Sequence, residues 1–176
     1  MIADDGRRAM GASGWDYVAS YRGSVEATLE ALHEQVFREL YGDDAQYADR
    51  AALHADESLE DSGTHSILDV RRVVDTPARP GRGDWDYCTL RPLRPERLLH
   101  HFGTAEPTPQ QFEDALARAK APSSPRSRRS RRSRRSRGTE AMALTDEQEL
   151  RWTGHYVLLH SNGEPTHVGF FGVSGD

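Results

Sequence analysis

Cysteine and lysine are almost missing from this chain. A single cysteine, Cys88, excludes an internal disulfide framework and fits a reducing compartment. Lys120 is the sole lysine, so nearly all of the 23 basic residues are arginine. Long apolar runs are missing too. Stretches such as Tyr156–Leu159 fall far short of the roughly 20 residues a membrane helix needs. The N-terminus, MIADDGRRAMGASGW, lacks the apolar stretch of a secretion signal, and a cytoplasmic protein is expected. Met10-Gly11 has the start of a myristoylation motif, but Trp15 stands where that motif needs Ser or Thr. Met10 as an alternative start would make residues 1–9 a short leader. No HExxH, CxxC or EF-hand pattern occurs, and no glycine-rich phosphate loop, so no metal or cofactor is expected from motifs.

What the chain does have is charge, unevenly placed. Arg126, Arg128, Arg129, Arg131, Arg132, Arg134, Arg135 and Arg137 alternate with serines in RSRRSRRSRRSR. These eight sit in a chain of 23 basic and 28 acidic residues, which leaves 15 against 28, or −13, elsewhere. Such a run cannot pack and is expected to stay solvated and disordered. Nucleic acid is one partner it suits, through phosphate contacts that weaken steeply with salt. Without aromatic residues to stack on bases, that binding would be blind to sequence. A slippage-expanded, functionally neutral loop insertion is the leading reading of the run, because loop closure costs little extra with length.

Hydrophobic spacing predicts an α+β domain with a mostly antiparallel sheet. Gly14–Arg22 reads as a strand. Ser24 caps a helix carrying Val25, Leu29, Leu32, Val36, Phe37 and Leu40 at helical spacing, with Gly42 ending it. A turn or two of helix is expected in Ala45–His54. Strands are expected at Ser66–Val74 and Trp85–Leu90, separated by a Pro- and Gly-rich loop. Pro95 opens a helix that Gly103 closes. Thr108-Pro109-Gln110-Gln111 is a capping box for the next, and Thr145-Asp146-Glu147-Gln148 repeats the pattern. Gly154–Ser161 and Thr166–Val173 flank Asn162-Gly163 as a C-terminal β-hairpin. The expected organisation is a leader over 1–13, one domain from 14–120 and 139–176, and the Arg/Ser insert over 121–138.

Several of these segments carry a resemblance. Gly14-Trp15-x-Tyr17, Gly63-Thr64-His65-Ser66-Ile67-Leu68-Asp69, Phe102-Gly103-Thr104, Trp152-x-Gly154 and Phe171-Gly172-x-Ser174-Gly175-Asp176 resemble a group of small uncharacterised bacterial proteins. The resemblance implies a single domain with the arginine run as an embellishment, and it implies no activity.

Candidate chemistry is sparse. His65, Asp69 and Cys88 are the residue types of a nucleophilic site, in which an imidazole activates the thiol and a carboxylate orients the imidazole. If 66–74 is a strand, His65 and Asp69 stand about 13 Å apart on one face, beyond hydrogen-bond reach. His160 and His167 face each other across the hairpin, giving two metal ligands at most, below the three or four that zinc needs. The aromatic residues mostly fall on strands and read as core. Asp43, Asp44, Glu60 and Asp61 lie in an acidic stretch that suits a basic protein partner. The leading expectation is therefore a non-enzymatic binding protein, of the immunity or inhibitor kind, acting on such a partner. A small enzyme using His65 with Asp69 or Cys88, and nucleic-acid binding through residues 126–137, are the alternatives.

Overall fold

The computed structural model describes residues 13–42, 46–59, 63–78, 86–121, 143–148 and 150–175. The expected Arg/Ser insert, apart from Ala121, lies outside them, as does the expected leader apart from Ser13. Among the described residues no helix is long and apolar enough to cross a membrane.

Five strands form one mixed sheet in the order β1-β5-β4-β3-β2. The long strands are β1 (Gly14–Ser20), β4 (Thr153–Ser161) and β5 (Glu164–Val173), and they pair antiparallel. The short strands β2 (Arg72–Val73) and β3 (Thr89–Pro92) join parallel at the far edge. The antiparallel half follows from the hairpin. Asn162 and Gly163 both take positive φ, the backbone that a tight turn between twisted strands demands.

Each face of the sheet is covered by helix. On one face lies α1 (Val25–Tyr41), capped by Ser24, whose hydroxyl accepts from the Ala27 amide. It buries Leu29, Leu32, Val36 and Phe37 against Trp15, Leu90, Val168 and Phe170. Leu40, expected on that stripe, is exposed one residue from the helix end. On the other face, α3 (Pro95–Phe102) and α4 (Pro109–Lys120) bury Phe102, Phe112 and Leu116 against Val157, Leu159 and Phe171. Both helices begin with proline, α3 ends on a left-handed Gly103, and the Thr108/Gln111 capping box is complete.

Three expectations are corrected. The Ser66–Val74 segment is not one strand. It holds a 3₁₀ turn, Ile67–Asp69, followed by the two-residue β2. The strand expected over Trp85–Leu90 starts at Thr89, as β3 between β4 and β2, and Trp85 lies outside the described residues. The Thr145 capping box does not form. A 3₁₀ turn over Leu144–Glu147 forms instead, capped two residues earlier at Ala143, whose amide donates to Asp146.

Candidate functional site

The Ile67–Asp69 turn is the pivot of a cavity that draws chemistry-bearing side chains together. Ile67 and Leu68 are fully buried, which turns the backbone carbonyls of this tight turn away from water. Two histidines serve them. His33 of α1 donates Nε2–H to the Ile67 carbonyl at 3.0 Å. His54, at the end of the short helix α2 (Arg50–His54), donates Nε2–H to the Leu68 carbonyl at 3.1 Å. Carbonyls only accept, so in both rings the proton resides on Nε2. Burial holds both imidazoles neutral: His33 titrates down at about 4, and His54 is lowered by burial and then by the Arg71 charge.

Asp69 closes the turn and is buried. Its Oδ1 accepts from the Thr64 amide at 2.7 Å and from the Thr64 hydroxyl at 2.9 Å. The Ser66 hydroxyl completes the chain at 2.8 Å from Thr64 Oγ1 while accepting from the Leu68 amide. Oδ2, by contrast, has no hydrogen-bond partner among the described residues. A buried carboxylate oxygen left without a donor is costly, so an unmet one at a cavity wall marks a place where a donor fits.

The opposite wall is built on unusual backbone. Cys88 takes φ +55°, which turns its carbonyl to accept from both Arg71 and Arg72 amides, at 2.8 and 3.1 Å. Trp152, in the turn before β4, takes φ +64°, an outlying conformation for so bulky a residue. Its six-membered ring and Asp69 Oδ2 converge on the space that a side chain at Gly63 would fill; a Cβ there would lie 2.8 Å from Oδ2. The cavity between these walls has a volume of about 280 Å³, the small end of ligand sites. Leu53 and Leu59 supply apolar lining, Tyr87 and Trp152 aromatic lining, and Asp56 and Arg71 charge.

The cavity unites two of the three residues expected to form a nucleophilic site, Asp69 and Cys88, and leaves out the third. His65 is exposed, with Nδ1 3.2 Å from the Ser13 hydroxyl, and the imidazole beside Asp69 and Cys88 is that of His54. The 13 Å spacing expected for a strand does not apply to a turn. Burial pushes the Cys88 thiol up, outweighing the lowering effect of Arg71, so little thiolate exists near neutral pH. His54, Arg71, Tyr87 and Trp152 are not legible in the sequence as site residues. The Thr64-x-Ser66 hydroxyls just before Asp69 are the signal it offers, since such residues bond into turns.

Asp43, Asp44, Glu60 and Asp61 lie outside the described residues, as do all eight arginines of the 126–137 run. The hairpin does not set His160 against His167. An irregularity at Leu159/His160 places Pro165 opposite His160 and Leu159 opposite His167. Among the described residues no three His, Cys, Asp or Glu side chains form a metal-holding group. No family model, curated protein or solved structure matches the chain.

Proposed function

We propose that this is a non-enzymatic binding protein whose site is the cavity beside the Ile67–Asp69 turn, taking a small ligand that brings an N–H donor to Asp69. The observation that carries this reading is the buried, unpartnered Oδ2 of Asp69 in a cavity with apolar and aromatic lining. The chemistry beside it favours binding over catalysis. The Cys88 thiol is held protonated, and the His54 Nε2–H is committed to the backbone. Calorimetric titration with butylammonium and butylguanidinium tests the reading. Asp69→Asn, which keeps the shape of the side chain, is expected to weaken whichever binds by at least about tenfold, the equivalent of one charge-assisted hydrogen bond. Equal binding by wild type and variant would end it.

A second reading keeps the basic protein partner. Asp56 supports it: it lines the cavity, and its carboxyl is held below the usual range chiefly by the Tyr47 hydroxyl, at 2.6 Å. Leu59 and Gly63 also line the cavity, and the chain joining them carries Glu60 and Asp61. Neutralising Asp43, Asp44, Glu60 and Asp61 together is expected to lower affinity for an oligolysine peptide and to flatten its salt dependence. An unchanged salt profile would exclude this surface.

A further inference from the structure

The cavity lining carries opposite charges that are not paired with each other. Asp69 is buried, with Oδ2 unpartnered. Arg71, two residues on, is exposed and lines the same cavity, and its guanidinium has no ion pair among the described residues. Neither group compensates the other by contact, although their charges act on the same Cys88 thiol and His54 ring. A bare cation beside Asp69 shares the cavity with the Arg71 charge and is repelled by it. A bare anion held by Arg71 faces the carboxylates of Asp69 and Asp56. A ligand carrying both charges escapes both penalties.

We infer that the cavity binds a small zwitterion of the α-amino-acid class, its ammonium on Asp69 Oδ2 and its carboxylate on the Arg71 guanidinium, with an apolar side chain against Leu53, Leu59 and Trp152. This rests on the ligand-binding reading above and names the ligand class for that site. The single open oxygen of Asp69 suits a compact ammonium, since Oδ1 is already filled by two donors from Thr64. The planar fork of Arg71 suits a carboxylate. The volume of about 280 Å³ limits the ligand to a single small molecule rather than a nucleotide or a peptide. Gly63 is part of the recognition, because any side chain there would stand between an incoming ammonium and Oδ2.

The test uses the full chain. The common L-amino acids are screened at millimolar concentration by thermal shift, and the best is compared by calorimetry with its decarboxylated amine and its deaminated acid. The amino acid is expected to bind tightest. Arg71→Gln, a change at an exposed side chain, is expected to weaken the amino acid about tenfold while leaving the amine unchanged or tighter. Asp69→Asn is expected to weaken both amino acid and amine. If the amine binds as well as the amino acid and Arg71→Gln alters neither, the zwitterion inference falls while the ligand-binding reading stands. If amine and amino acid both fail to bind, both fall.

Discussion

Trp15 shows how far a single side chain can dictate its neighbours. The strand register sets Trp15, Gly172, Gly154 and Leu90 in one row across β1, β5, β4 and β3. Two glycines within strands are unfavourable in isolation, since they add no packing and lose much entropy. Here they make the floor on which the indole lies. A Cβ at Gly154 would come within 2.6 Å of the ring, and one at Gly172 would also meet the Thr153 carbonyl at 2.7 Å. Gly172→Ala is therefore expected to destabilise the protein by about 1–3 kcal/mol in urea unfolding, the range for overpacking a filled core. Gly14→Ala is the matched control. Its Cβ would meet only the Gly172 carbonyl, at an ordinary 3.8 Å, so near-neutral stability is expected. Equal losses in the two variants would contradict the packing argument.

Elements whose ends are written in local chemistry are readable from the amino-acid sequence alone. Ser24, the Thr108/Gln111 box, Pro95 with Gly103 and Asn162-Gly163 each satisfy or free particular backbone groups within a few residues, and all four stand where expected. The Ser66–Val74 segment misleads for the opposite reason. Ile67, Leu68 and Val70 are buried by distant partners, α1 and α2, and their β-favouring side chains say nothing about two histidines that cap the carbonyls of a turn. The cavity is half legible. Asp69 and Cys88 stand out by residue type, but His54, Arg71 and Trp152 join them through backbone turns that no local spacing encodes. The same long-range logic fixes the Leu144–Glu147 turn. Arg97 and His101, one helical turn apart on α3, donate to Glu147 at 2.5 and 2.7 Å; the His101 and Glu147 side chains are buried, and that of Arg97 is 12% exposed. Burial alone raises the Glu147 carboxyl, yet these two donors outweigh it and hold it below its ordinary range. Glu147→Ala leaves a largely desolvated guanidinium without its carboxylate, and a loss of about 3 kcal/mol is expected from chemical denaturation. Glu30→Ala removes one of the two exposed carboxylates on Arg50, Glu34 being the other, and less than about 1 kcal/mol is expected. Similar losses for the two would show that burial does not set the value of these pairs.

Across the whole molecule, the three-layer build shields a histidine from water on each side of the sheet, His33 buried and His155 half-buried. His33 lies in the α1 layer, tied to the Ile67 carbonyl. His155 of β4 lies toward the α3 and α4 layer, stacked on Phe171 with ring centroids 5.4 Å apart. Burial is the main reason that both titrate at about 4; for His155 the cations Arg91 and Arg94 add to it, and Glu147 opposes it. The folded values lie below the ordinary 6.5 of an unfolded histidine, so between pH 6.5 and 4 the unfolded chain binds the extra protons. Their contribution to stability is accordingly full above about pH 6.5 and is lost as pH falls towards 4. The slope reaches at most about 1.4 kcal/mol per pH unit for each histidine, or roughly twice that for the pair. Urea unfolding from about pH 7 down to about pH 4.5 is expected to show this loss. Replacing His155 with Gln is expected to remove about one proton's worth of the slope, even if it lowers stability near neutral pH. If the variant keeps the wild-type slope, buried carboxylates rather than His155 govern the acid limit of this fold.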